Sequence, residues 1–433
     1  MSDKWGDNPM ITKPVTSLIL LAAIQSPALA GNWAHWRGPT GNGSSPDAKP
    51  PSEWSATKNV KWKVPIPGRG SGSPVIWDDK VFVVTAVSPS GKGLGFDGRR
   101  ISKLAFKIYC FDRKTGRVRW EKTATEATPH QGTHDTNGFS SASPCTDGKR
   151  VYAHFGSRGL FCYTMDGEFV WKRNDFGKMN TRNDFGEGSS PTLHGGKILV
   201  PWDHEGPSAL YALDKLTGKT IWKTVRDEPT NWSTPLVVEH AGKKLVVMNG
   251  QTCARAYDLE SGKELWRCAG QTQRPVTSAV TIRDLAIVGS GFRGNFIGAF
   301  RLDGKGDLEG SDHVVWTLDR NTPDIASPLI SGNRLYFHSG KSGMLTCLDA
   351  STGKPHYTAA RIPGISRTYA SPMAAGGHVY LTGRSGTTVV IKDGKKLEIV
   401  ATNSLDEGVD ATPAPVDHEL FIRGERHLFC IGE

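Results

Sequence analysis

The sequence predicts an all-β protein, an eight-bladed β-propeller closed by its own two ends, and three observations carry that expectation. A Ser-Pro-type marker recurs along the chain, a Trp-ended hairpin recurs behind it, and the last repeat lacks a strand that the N-terminal region can supply. The marker is a small or hydroxyl residue followed by proline and apolar residues. It falls at Pro74, Pro144, Pro191, Pro235, Pro328, Pro372 and Pro413, with Ala279 in the proline position of "TSAVTI". The steps between markers are 70, 47, 44, 44, 49, 44 and 41 residues. A unit near 44 residues is the length of four short antiparallel strands, one blade of a propeller.

Each unit reads in the same order. The marker strand comes first, with proline near its start, where a missing N–H donor does least harm. A Gly- or Asp-containing turn follows ("WDDK", "TDGKR", "HGGK", "SGNR", "AGGH"), then an alternating apolar strand ("VFVVTA", "VYAHFG", "ILVPWD", "LYFHSG", "VYLTGR"). The third strand carries a small residue and leads through a tight turn into a Trp-bearing fourth strand. In "ALDKLTGKTIW", residues 212–222, Asp214 is expected to accept backbone N–H bonds and Gly218 to take a positive φ. The last unit stops at "HLFCIGE", its third strand, and "NVKWKVPIP" at 59–67 is the free strand that completes it. Blade 1 is longer than the rest, through "SPSGKGLGFDGRRISKL" at 88–104 and the connection "TATEATPHQGTHDTNGFS" into blade 2. These are the strongest loop assignments in the chain.

Ahead of the ring, Lys13, the apolar run "VTSLILLAAI" and "SPALA" at 26–30 read as a signal peptide cleaved before Gly31. The first nine residues make a poor n-region, which points to Met10 as the start. The run is too short to span a bilayer as a stable helix. The expected organisation is therefore a signal peptide at 1–30, an extension over 31–58 lying on the propeller surface and pinned by Trp33 and Trp36, and a single propeller over 59–433. The mature protein is expected to be exported, periplasmic or secreted, without a transmembrane span. A net charge of +10 favours solubility and peripheral contact with anionic surfaces. No Lys/Arg run with interleaved aromatics appears, so nucleic acid is not expected as a partner.

The eleven-residue hairpin resembles the tryptophan-docking motif of quinoprotein alcohol dehydrogenases and their non-enzymatic relatives. Ala212, Asp214, Thr217, Gly218 and Trp222 match it in full, and "CFDRKTGRVRW" and "AYDLESGKELW" match with Cys110 and Ser261 substituted. "CLDASTGKPHY" ends in Tyr357, blades 2 and 5 keep the terminal Trp171 and Trp316, and blade 7 has lost the motif. The resemblance covers roughly residues 55–433, and the chain is most similar to exported PQQ-like propeller proteins and, in architecture, to BamB. It implies that Trp120, Trp171, Trp222, Trp266 and Trp316 are structural, each packing between neighbouring blades.

The same resemblance raises the question of chemistry. Quinoprotein dehydrogenases bind PQQ on the propeller axis with an adjacent cysteine pair, a calcium held by carboxylate and amide oxygens, and an Asp base. The seven cysteines here include no adjacent pair. Cys110, Cys162, Cys347 and Cys430 take the position held elsewhere by Ala212, Ala256 and Ala299, where Cys serves as a small apolar residue. Cys253 and Cys268 flank the blade 4 hairpin and face each other if Asp258 pairs with Lys263, so an exported protein could bridge them. His130 and His134 have zinc-helix spacing, but Pro129 and Gly132 argue against a helix. "DGKGD" at 303–307 is part-like a calcium loop and sits where blade 5 needs a longer turn; "GFRG" at 291–294 opens no helix, so no phosphate cradle is implied.

Residues just before each marker strand are expected to ring one mouth of the central channel: Arg69, His134, Asp135, Asn137, Phe139, Glu187, Trp232, Arg274, Asp324, Arg367, Tyr369 and Asp410. The expectation is a binding or scaffolding module of the cell envelope without its own catalysis, no catalytic or metal-binding residues, and no cofactor. Its partners would be envelope proteins or extended peptides that add to a blade edge. The alternatives are a dehydrogenase using PQQ with calcium, and a carbohydrate binder using Trp232 and Tyr369.

Overall fold

The computed structural model describes residues 1–2, 31–88 and 102–433. The expected signal peptide, and residues 89–101 of the blade 1 insertion, lie outside the described residues. Eight separate sheets form the ring. Their innermost strands start at Val75, Cys145, Thr192, Leu236, Val280, Leu329, Met373 and Ala414, in chain order. In the eighth sheet Val60–Pro65 runs antiparallel to His427–Ile431, so one blade holds both ends of the described ring and no blade is left short of a strand. In blade 1 part of the expected loop surplus is strand instead. Leu104–Asp112 and Val118–Ala127 form a hairpin that reaches well past those of the other blades. Among the described residues no helix is long and apolar enough to cross a membrane.

The core is divided rather than shared. Eight apolar clusters occupy the eight junctions between adjacent blades, and each draws on the two sheets it separates. Strand alternation makes this possible: each sheet has both faces covered by a neighbour, so its middle strands are apolar almost throughout, as in Val81–Ala86.

The Trp-ended hairpins hold these junctions together. Indole Nε1–H groups of Trp120, Trp171, Trp222, Trp266 and Trp316 donate to Met165 O, Lys215 O, Leu259 O, Leu302 O and Ala350 O at 3.0, 3.2, 3.0, 3.3 and 3.1 Å, always in the next blade. Trp62, on the closing strand, makes the same bond to Arg113 O at 2.9 Å and carries the pattern across the join. Asp214 Oδ1 accepts the Leu216 and Thr217 N–H groups at 3.0 and 2.8 Å and the Thr217 hydroxyl at 2.8 Å. Gly218 has φ +71°, and a Cβ there would lie 2.8 Å from the Trp171 ring of the previous blade. The motif glycine is thus needed twice, for the turn and for the indole above it. The small position lies directly across from the aromatic: Cys110 opposite Trp120, Ala212 opposite Trp222, Cys430 opposite Trp62.

That hairpin also corrects the proposed Cys253–Cys268 bridge, since both thiols are free. Asp258 does pair with Lys263, its N–H donating to the carbonyl at 2.8 Å. A β-bulge then passes over Leu265, so Ala256 faces Trp266 and Ala254, not Cys253, faces Cys268. The extra residue that seats the tryptophan removes the register the disulfide required. "DGKGD" supplies a further strand: Gly306–Asp307 pairs in parallel with the outer strand Glu264–Cys268 of blade 4.

Residues 31–54 form a strap around the face where the innermost strands end. Trp33 exchanges backbone bonds with Ile76 of blade 1, and Ala34 O accepts from Thr146 of blade 2. Asn42 bonds Thr281 of blade 5 in both directions at 2.9 Å and accepts from Ile330 of blade 6. Ser44–Ser45 joins the blade 7 sheet, and the Lys49 N–H reaches Asp417 O of blade 8. Arg37 is buried beneath the ring, with no carboxylate partner among the described residues. Its guanidinium donates to the carbonyls of Pro372 at 2.7 Å, Asn42 at 3.2 Å and Pro328, and burial pulls its pKa down to about 9.

Candidate functional site

The marker strands build the walls of the axis. The backbone N–H of Ser73 donates to Ser143 Oγ of the next blade, Ser143 to Ser190, Ser190 to Thr234, Thr234 to Ser278, Ser278 to Ser327, Ser327 to Ser371, and Ser371 to Thr412, at 2.8–3.1 Å. The hydroxyls of seven of the eight markers, all but Ser73, therefore each satisfy a backbone donor that the inner edge of the neighbouring sheet would otherwise leave unpaired. This is the physical reason for Ser or Thr ahead of proline, a reason the sequence reading left as "small or hydroxyl".

Above this ring of hydroxyls lies a cavity of about 350 Å³. Trp36 of the strap lies at its inner end, so the cavity is a cup whose mouth is on the face opposite the strap. Of the residues expected at the mouth, His134, Asn137, Trp232, Arg274, Tyr369 and Asp410 line it. Arg69, Asp135, Phe139, Glu187, Asp324 and Arg367 do not. Asp135 is exposed and touches the cup only through His134, whose Nδ1 is 2.7 Å from its carboxylate. Glu187 turns back into blade 2, accepting from the Ser157 N–H and hydroxyl at 2.6 Å and pairing with Arg158 at 2.7 Å. Arg367 is exposed outside the cup.

Sequence reasoning missed Phe292, Lys341 and Phe185 on the wall, and Trp36 at the base. Phe292 and Lys341 come from the turns between second and third strands, in "GFRG" and "SGKSG". The antiparallel order of a blade brings that turn to the same mouth as the start of the first strand, a rule that would have found both.

The polar groups of the cup are mostly engaged. Asp410 forms a two-point pair with Arg384 at 2.7 and 3.1 Å. Arg384 in turn lies 4.3 Å over Tyr369. Asn137 donates to Phe185 O at 3.0 Å, and its carbonyl accepts from the Gly138 N–H and the Ser141 hydroxyl. Trp232 is fixed by its Nε1–H, which donates to Gly186 O at 2.7 Å. His134 Nδ1 lies 2.8 Å from the Thr136 hydroxyl, and the ring stands edge-on to Phe185.

Arg274 is the exception. Its guanidinium stacks 3.5 Å over Phe292, and its side chain makes no hydrogen bond among the described residues. The nearest carboxylate oxygen, on Asp324, is 3.7 Å away and is shared with Lys341 at 3.6 Å. Burial lowers the Arg274 pKa, against the opposing pull of Asp324.

No group of three His, Cys, Asp or Glu side chains among the described residues is placed to hold a metal ion. His130 faces Met179 O at 2.7 Å, apart from His134. A calcium-held quinone needs free carboxylate and amide oxygens beside the axis. Here the carboxylate of Asp410 and the amide of Asn137 are already bonded to protein, and Asp324, whose Oδ1 is buried without a hydrogen-bonded partner among the described residues, faces Arg274 and Lys341, two cations that compete with a calcium ion for it.

Comparisons with known proteins agree on the architecture. A family model described as outer membrane protein assembly factor BamB matches residues 52–174, 105–311 and 310–431. A polyvinylalcohol dehydrogenase from Pseudomonas sp. is 25% identical over 254 residues, 48% of this chain and 35% of that protein, so the match spans about a third of the relative's length. The crystal structure of BamB from Moraxella catarrhalis superposes with a TM-score of 0.55 at 11% identity, covering 86% of this chain and 99% of that one. Quinohemoprotein alcohol dehydrogenase from Comamonas testosteroni gives 0.60 at 11% identity, covering 93% and 80%. At such identities these two structures speak to the fold alone.

Proposed function

Because the chain belongs to the PQQ-like propeller family described as outer membrane protein assembly factor BamB, we propose that it is an exported binding propeller of the cell envelope that works without catalysis of its own. One observation carries the reading: the blade edges take up extended segments. Gly306–Asp307 is added to the outer strand of blade 4, backbone to backbone, by the chain itself. Among the described residues nothing pairs with the outer strand of blade 3, Thr220–Arg226, and its Ile221 and Val225 are 47% and 77% exposed. An unpaired edge flanked by exposed apolar side chains suits a partner strand of alternating apolar and polar residues.

The relationship to a polyvinylalcohol dehydrogenase favours a second reading, a PQQ-dependent alcohol dehydrogenase. The engaged oxygens of Asp410 and Asn137 weigh against it. The deciding experiment adds PQQ with calcium chloride to the purified protein and follows the melting temperature and dye reduction with alcohols. A binding propeller shows neither a rise nor reduction; a rise of several degrees together with turnover overturns the reading. A photo-crosslinker placed at Val225 tests the edge: a discrete envelope adduct supports it, and loss of any adduct at that position counts against it.

A further inference from the structure

We infer that the cup is a binding site for an acidic sugar, a uronate-type ligand whose carboxylate seats on Arg274. The inference rests on the binding reading above, in that the cup receives a ligand and does not transform it. Its first support is Arg274 itself. The side chain is 9% exposed, lines the cup and has no hydrogen-bonded partner, and its Nε is wholly buried without one. Elsewhere in this protein buried guanidinium groups are bonded: Arg226 to Asp203, Arg255 to Glu228, Arg423 to the carbonyls of Gly72 and Val84. Arg274 has Asp324 only at ion-pair distance, 3.7 Å, so its N–H edge is left short of acceptors and offers a planar, two-pronged receptor for a second carboxylate, with Phe292 covering one face of the guanidinium. Its position is held at a cost, for Arg274 adopts φ +45° and its N–H is pinned by Gln251 Oε1 at 2.9 Å.

The second support is the hydroxyl ring. Seven of the eight marker hydroxyls, those from Ser143 to Thr412, already accept a backbone N–H, and no marker hydroxyl lining the cup donates to protein among the described residues. Each of these hydroxyls therefore keeps its proton, along with a second lone pair, for a ligand. A circle of O–H donors below a guanidinium selects a ligand rich in acceptors, and sugar hydroxyls and ring oxygens are such acceptors. The third support is the wall: Trp232 and Tyr369, both locked by their own contacts, present rigid aromatic surface for the C–H face of a pyranose. A volume of about 350 Å³ suits a ligand at the small end of the usual range, roughly one or two rings. Lys341, also on the cup wall, lies 3.6 Å from the Asp324 oxygen that Arg274 faces, so two cations share one acid there and a positive charge is left over for the ligand.

The test is calorimetric titration of the full chain with galacturonate, digalacturonate, galactose and benzoate at low salt. The acidic sugars are expected to bind on the order of tenfold or more above galactose and above benzoate, with affinity falling as salt rises. Arg274→Gln should lose about tenfold or more of the uronate affinity and little of any galactose binding. Trp232→Ala should weaken both sugars. Lys341→Met, at a side chain 35% exposed that gives up only the 3.6 Å ion pair with Asp324, should lose a few-fold and covers the case in which Arg274→Gln does not fold. Equal binding of galactose, tighter binding of benzoate, no heat with any sugar, or uronate affinity unchanged in both charge variants overturns the inference. None of these outcomes bears on catalysis, which the quinone experiment decides on its own.

Discussion

Two buried histidines should make this propeller lose stability in mild acid, well above the range where carboxylates titrate. His154 and His338 end the second strands of blades 2 and 6 and are 2% and 0% exposed. Burial is the dominant influence on both and pulls each pKa from 6.5 to about 4, outweighing the favourable field of Glu187 at His154. In the unfolded chain both rings charge near pH 6.5, while the folded ring resists charge until about pH 4. The stability held by neutral burial is therefore complete above pH 6.5 and drains as pH falls towards 4. At pH 5 the difference is about 2 kcal/mol for each ring, or about 4 kcal/mol for the pair. The assay is urea unfolding at pH 7.5, 6.5, 5.5 and 5.0 for the native protein and for His154→Gln/His338→Gln. The variant starts less stable, but its loss between pH 7.5 and 5.0 should be smaller by about 4 kcal/mol. Parallel curves would refute the reasoning, because they would mean that the two rings accept protons in the folded state as readily as in the unfolded one.

Other predictions follow from single contacts. Gly242 and Gly262 both have φ +73°, but a Cβ on Gly242 meets nothing within 4 Å whereas one on Gly262 lies 2.6 Å from the Trp222 ring. Gly242→Ala should cost about 1 kcal/mol and Gly262→Ala about 2–4 kcal/mol, read from urea midpoints; equal costs would remove the indole from the explanation. Ellman titration in denaturant without reductant should find all seven thiols, and five would restore the bridge that the bulge forbids. In the native protein the half-buried Cys253 should react first, and slowly, since burial raises its pKa. Arg37→Met strips donors from the carbonyls of Pro328, Pro372 and Asn42 and should lower stability by about 2 kcal/mol, measured by thermal and urea unfolding.

The ring was legible because its repeat is written in residues with rigid requirements. Ser or Thr before proline, Asp and Gly in the turn, and Trp at the end each satisfy a backbone or packing need that recurs in nearly every blade. The mouth was legible only in part. Position along the chain brought Trp232, Arg274, Tyr369 and Asp410 to one cavity, because strand order fixes where each first strand begins. Position alone could not tell that Glu187 would turn back to Arg158, since side-chain direction depends on a partner 29 residues away in sequence. Nor could it show that one bulge residue separates Cys253 from Cys268, because register is set by how Trp266 seats against the next blade. Arg37 gave no sign at all. A cation without a nearby acid reads as surface, and only the convergence of carbonyls from blades 6 and 7 makes its burial possible.

The strap that rounds the ring imposes an order of events during biosynthesis. Residues 31–54 leave the ribosome before any blade exists, yet their anchors at Ile330, Ala374 and Asp417 are among the last to be made. Trp33 and Ala34 can dock on blades 1 and 2 early, but the stretch from Asn42 to Lys49 must wait for blades 5 to 8 before it can lie down across the face they complete. Assembly therefore finishes on a stretch made ahead of the ring, and a protease acting before that moment would meet residues 42–49 undocked.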